Sequence, residues 1–235
     1  MMESSQVQQL AIWMAAALIG SSTFTTGSHA QALPDAARMP VIEGDWWQVA
    51  GVPDLGEWGE PDHEPVDFAL WQAADGTWQI WSCIRHTKWP GNSRLFYGWE
   101  GQRLTDRDWA PTGIKFTGEP EYGETPGGMQ APHVVVHEGV YRMLYGDWAN
   151  ICLATSEDGK DFTRVIQPSG KTAVFTEGPG NNTRDVMSLW TNGLWHSYYT
   201  AYPNEQGMVW LRTTGDFKTW SESRPVAYGG QAGSD

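Results

Sequence analysis

Cysteine is nearly absent from this 235-residue chain, with Cys83 and Cys152 the only two. That excludes a multi-disulfide framework, and since neither stands in a CxxC or other metal-ligand spacing it excludes a cysteine-built metal centre too. Both fall in predicted strands of different repeats, where they read as buried thiols or, in an exported protein, as one pair. Charge is also scarce, at 18% of residues, and basic residues are the scarcest: 15 Lys and Arg stand against 28 Asp and Glu, a formal net charge of −13. Such a surface repels phosphate backbones and anionic lipid headgroups, which excludes nucleic acid and membrane as partners and leaves a neutral or cationic ligand. The apolar run Leu10 to Gly20 is 11 residues long, too short to span a bilayer. A Ser/Thr stretch and the small-residue site Ala30-Gln31-Ala32 follow it, so residues 1–32 are expected to be a signal peptide and the mature protein, residues 33–235, to be secreted or periplasmic. Nothing in the motifs implies a cofactor or a metal, and oligomeric state is not legible.

What the chain has in abundance is tryptophan and glycine, 15 and 27 residues, with 13% aromatics overall. Helices favour Ala, Leu, Glu and Lys, so this composition points to short strands and turns and hence to an all-β fold. From Pro65 one unit recurs. It begins Pro65-Val66-Asp67-Phe68-Ala69-Leu70-Trp71, turns at Asp75-Gly76 and returns through Thr77-Trp78-Gln79-Ile80-Trp81-Ser82. The second copy is Pro132 to Val136, a turn at Glu138-Gly139, then Val140 to Tyr145; the third is Asp185 to Trp190, a turn at Asn192-Gly193, then Leu194 to Tyr199. The turn glycines are 63 and 54 residues apart, and an aromatic (Trp78, Tyr141, Trp195) stands two positions after each, placed to fill one layer of a repeated core.

A third strand follows in each copy (Leu95 to Trp99, Asn150 to Ala154, Met208 to Arg212), then a polar turn closing on an aromatic: Thr105 to Trp109, Ser156 to Phe162 and Thr214 to Trp220. Four short strands per copy at a period near 50 residues predict β-propeller blades, about three to four of them in this chain. Pro225 to Asp235 reads as the lead-in to another copy, and the ring is expected to be incomplete at the C-terminus, with an open edge.

In a propeller the first strand of each blade lines the central channel, so residues that start those strands converge although distant in sequence. Here they are Asp67, His133 and Asp185, standing nine, six and eight residues before their turn glycines. Convergent carboxylates suit glycoside hydrolysis, in which one acts as nucleophile or base, a protonated partner feeds the leaving oxygen, and negative charge favours an oxocarbenium-like transition state. Arg85, Asp147 and Trp148 follow the second strands, at loops placed to contact a sugar. His133 has three readings: a satisfied core histidine, a ligand for a channel cation, or a hydrogen-bond donor to a sugar. Trp46 and Trp47 are further candidates for stacking on sugar faces.

Pro65-Val66-Asp67 before an Asp-Gly-aromatic hairpin resembles the first-blade motif of family 43 and family 32 glycoside hydrolases. Gln130-Ala131-Pro132-His133-Val134 is similar to the second-blade Ala-Pro-Asp-Val motif of family 43, with His133 where that family has an acidic residue. Thr183-Arg184-Asp185 resembles the Arg-Asp-Pro motif of family 32, with Val186 in place of proline. The resemblance implies a five-bladed propeller hydrolysing a poly- or oligosaccharide, with Asp67 as nucleophile or base, Asp185 as transition-state stabiliser oriented by Arg184, and a Glu general acid in a later blade. Ser156 to Phe162 also resembles the Asp-box turn of sialidases, for which Arg85, Arg184 and Arg212 are the candidate carboxylate clamp. A carbohydrate-binding propeller without catalysis is the other alternative.

Overall fold

The computed structural model describes residues 41–227, so the signal peptide expected over residues 1–32 lies outside the described residues. Residues 41–45 carry no regular strand or helix, and a compact unit begins at Trp46. Three antiparallel sheets follow one another along that unit, each with its strands in chain order. The first blade comprises β1 (Glu64–Gln72), β2 (Trp78–Arg85), β3 (Leu95–Gly101) and β4 (Ala110–Phe116). The second comprises β5 (Gln130–His137), β6 (Val140–Gly146), β7 (Ile151–Ser156) and the two-residue β8 (Thr163–Arg164), with β9 (Ala173–Phe175) also paired to β7. The third comprises β10 (Arg184–Thr191), β11 (Leu194–Ala201), β12 (Met208–Thr214) and β13 (Arg224–Ala227).

The hairpins form where glycine permits a left-handed turn. Glu138 and Gly139 have φ of 53° and 75°, and Asn192 and Gly193 have 51° and 79°, the paired positive values of the tight turn that matches strand twist. The first hairpin is longer, because Gln72 pairs with Trp78 and leaves residues 73–77 as its loop. Trp78 is thereby one residue out of step with Tyr141 and Trp195. It packs against the cluster that includes Leu55, Ile80 and Trp99, whereas Tyr141 and Trp195 fill the cores between successive blades.

One expectation is corrected at the C-terminal end. Arg224–Ala227 is not the start of another copy but the outer strand of the third blade, pairing with β12 through Trp210 and Pro225. Proline has no N–H to offer a further strand, and an outermost strand needs none on its open side. Among the described residues there are three blades and no strand of a fourth.

Neighbouring blades are joined by aromatic layers. Trp71, Trp81 and Phe116 of the first blade meet Phe162 and Tyr145 of the second. Trp71 Nε1–H also donates to Gly159 O in the second blade's turn at 2.7 Å. Phe175, Trp195, Tyr199 and Phe217 form the corresponding layer between the second and third blades, with His137 reaching in from β5. The innermost strand β5 packs between β1 and β10, which places the starts of all three at one end of the channel wall.

Candidate active site

The three innermost strands share a feature that decides what stands at the channel mouth. In each, two residues face one residue of the second strand: Val66 and Asp67 in β1, Ala131 and Pro132 in β5, Asp185 and Val186 in β10. These are β-bulges, which bend a strand and re-aim its side chains. Asp67 is thus the second bulge residue of its blade, Asp185 the first of its own, and His133 the first residue beyond the bulge in β5. The equivalence expected from turn spacing holds for the end of the strand but slips by one residue between the first and second blades and by two between the second and third.

Asp185 is held from several directions. Thr200 Oγ1–H donates to its Oδ2 at 2.9 Å, and Arg184 Nε lies 3.1 Å from the same oxygen. Arg184 in turn donates from Nη2 to Tyr202 Oη at 3.3 Å. The backbone of Asp185 is left-handed, with φ of 57°, a conformation that costs a non-glycine residue about 1–2 kcal/mol and concentrates at functional sites. Asp67 is exposed, and its bulge is buttressed by Ser82 Oγ–H donating to Val66 O at 2.5 Å. It lines a cavity of about 870 Å³ with Trp47, Phe68, Leu70, Trp99 and Trp109, an apolar wall with one carboxylate on it. Trp46 is 84% exposed and is absent from that wall.

The loop after β6 holds two more of the expected residues, in different roles. Asp147 is fully buried: its carboxylate accepts from the backbone N–H groups of Thr125, Ala149 and Asn150, so it builds the loop instead of facing a ligand. Burial raises its pKa, and those hydrogen bonds oppose the rise. Trp148, with φ of 74°, is the residue the loop presents. The guanidinium of Arg184 lies 6.0 Å from its ring centre and that of Arg94 only 4.8 Å.

His133 is bonded to the neighbouring blade. Ser188 N–H donates to its Nε2 at 3.0 Å, clamping β5 to β10, and burial lowers its pKa. The ring is half-buried, and its bond to the Ser188 backbone fits the structural reading among the three. Arg85 is engaged with Glu64, Nε donating to Oε1 at 2.7 Å. Arg85, Arg184 and Arg212 are each paired with a different carboxylate, Glu64, Asp185 and Glu177, so they form no common clamp of the sialidase kind.

Sequence reasoning missed the stacking of Arg94 on Trp148 and a repeated buried support. Tyr145 and Tyr199 occupy the same register position in β6 and β11, one residue inside the partner of the strand start. Each hydroxyl donates to a loop glutamate, Tyr145 to Glu124 at 2.5 Å and Tyr199 to Glu177 at 2.6 Å, and each glutamate is ion-paired to an arginine, Arg164 or Arg212. The available signal was a Glu six or seven residues ahead of an inner strand in two successive copies. Cys83 takes the tyrosine's place in the first blade. It is a free thiol, as is Cys152. Burial pushes Cys83 up to about 12, with Arg94 and Asp67 both near enough to act on it in opposite directions.

No protein-family model and no curated protein matches the chain. Solved structures do. A family 117 glycoside hydrolase from the marine bacterium Zobellia galactanivorans superposes with a TM-score of 0.55 at 16% identity, over 77% of this chain and 60% of that one. The fold is that of the β-propeller glycosidases. A thermostable family 43 glycoside hydrolase gives 0.55 at 16% identity over 73% of this chain and 55% of its own. A sucrose-6-phosphate hydrolase from Lactobacillus gasseri gives 0.54 at 14% identity over 67% and 33%. The chain therefore spans about a third to three fifths of the length of these structures.

Proposed function

We propose that this protein is a glycoside hydrolase acting on a poly- or oligosaccharide, exported through its N-terminal segment. The observation that carries the reading is the placement of Asp67 and Asp185 in equivalent bulges at the same end of the innermost strands of the first and third blades. Asp67, exposed on a tryptophan-lined cavity, is the nucleophile or base. Asp185, fixed by Thr200 and Arg184, stabilises positive charge developing on the sugar ring. The proton donor is not among the described carboxylates of this mouth, since Glu124 and Glu177 are each committed to a tyrosine and an arginine. That commitment favours a second reading, a propeller that binds carbohydrate without cleaving it. Turnover of a panel of aryl glycosides and oligosaccharides by the full-length protein separates the two. Hydrolysis lost by about 10³-fold or more in Asp67→Asn supports the enzyme, on the scale of removing a carboxylate that acts in the transition state. Unchanged hydrolysis in that variant removes Asp67 from the mechanism, and binding without turnover supports the second reading.

A further inference from the structure

The mouth between the second and third blades has more hydrogen-bond donors than its own acceptors satisfy. Gln130, 1% exposed at the start of β5, has no partner for Nε2. Trp148 Nε1 and Arg184 Nε are likewise buried without a hydrogen bond, the latter lying near Asp185 but off the N–H direction. Arg94 stacks on Trp148 at 4.8 Å and makes no ion pair among the described residues. Gly146 lies between Gln130 and Arg184: a Cβ there would stand 3.2 Å from the Cβ of Arg184 and 3.6 Å from that of Gln130, so the missing side chain leaves the two side by side. Buried donors left unpaired cost about 1–3 kcal/mol each and are normally met by a partner.

A neutral sugar hydroxyl both donates and accepts, whereas a carboxylate or sulfate only accepts and carries the charge that Arg94 lacks opposite it. We infer that Arg94 and Gln130, grouped with Arg184 around Trp148, form a subsite for an acidic sugar, whose oxyanion takes the charge of Arg94 and the unpaired amide of Gln130. The inference rests on the carbohydrate-active reading above and narrows it to a uronate or a sulfated residue. The net charge of −13, which by itself favours a neutral or cationic ligand, is offset at this spot by the guanidiniums of Arg94 and Arg184.

The test is binding to the full chain, followed by tryptophan fluorescence and by ligand-observed NMR, of methyl glucuronide, methyl glucoside, a sulfated monosaccharide and inorganic sulfate. At least one acidic sugar is expected to bind about tenfold or more tighter than the glucoside, the scale of one charge-assisted hydrogen bond. The preference should weaken with salt and disappear in Arg94→Gln. Arg94→Lys, which keeps the charge and loses the fork, should retain the salt dependence at reduced affinity. If Arg94→Gln fails to fold, the wild-type ratio and the lysine variant carry the test. Equal binding of acidic and neutral sugars, or sulfate binding without either acidic sugar, overturns the subsite and leaves the carbohydrate reading standing. No binding by any sugar, neutral oligosaccharides included, overturns both.

Discussion

Replacing Arg164 with methionine tests how the candidate site is held. Arg164 is 17% exposed at its side chain and pairs with Glu124, which is fully buried. Its Nε and Nη2 donate to the two carboxylate oxygens at 3.0 and 2.9 Å, and Nη2 also reaches Thr117 O at 2.6 Å. The guanidinium covers Phe116 at 4.4 Å. Methionine preserves most of the contact with Phe116 but leaves the carboxylate with only the neutral donors of Tyr145, Thr172 and the Glu119 backbone. Removing one partner of a buried ion pair typically costs 3–5 kcal/mol, which for a domain of this size lowers Tm by about 6–20 °C. The consequence extends to the site, because the loop carrying Glu124 also accepts Arg94 N–H at Gly127 O and donates Thr125 N–H to Asp147. Urea unfolding followed by tryptophan fluorescence gives the loss directly. Adding Glu124→Gln to the Arg164→Met background should recover part of it, because the double variant no longer buries an unpaired charge. A single variant within about 1 kcal/mol of wild type, or a double variant whose losses merely add, would refute the assignment of this pair as the loop's anchor.

Two further outcomes follow from buried groups. Burial holds His133 below the ordinary histidine value, so the folded state binds its proton less readily than the unfolded chain; the associated stability is complete above about pH 6.5 and is lost as pH falls toward and through the lowered value. Urea midpoints compared between pH 7.5 and 5 should therefore drop more in wild type than in His133→Gln, and identical slopes would sever the link to Ser188. Cys83 and Cys152 are both buried, with burial raising both thiols, so neither should react with a thiol reagent under native conditions, while two should react in denaturant. Rapid modification of the native protein would contradict the packing.

Most of the fold could be read before it was seen. Glu138-Gly139 and Asn192-Gly193 announce their hairpins because a two-residue turn demands positive φ. The third strands β3, β7 and β12 likewise fall where apolar runs follow those hairpins. Pro225 misled because a proline reads as a break in any strand except an outermost one. The second blade's outer position, shared between two-residue β8 and three-residue β9, is too short to leave a periodic trace. The positions of Asp67 and Asp185 at the starts of inner strands were legible from their place in the repeat. Asp147, His133 and Arg94 were not, because a carboxylate turned into its own loop, a histidine bound to the next blade's backbone and an arginine stacked on a distant indole are tertiary facts with no local pattern. The bulges were invisible for a related reason: spacing to a turn counts residues, while a bulge changes how many residues one rung of the ladder consumes.

Because each inner strand sets two residues against one partner, every blade offers a pair of adjacent places at the mouth that lie outside the strict alternation of the ladder. The first blade has its acid in the second place, the third blade has its acid in the first, and the second blade fills both with Ala131 and Pro132. One place of each pair turns into the core, at Val66, Pro132 and Val186, and a substitution at the other changes what the channel meets without shifting any strand against its neighbour. The scaffold thus separates the hydrogen bonds that hold a blade from the side chains that confront a ligand, and a blade can gain, lose or move a reactive group by one residue while its sheet stays in register.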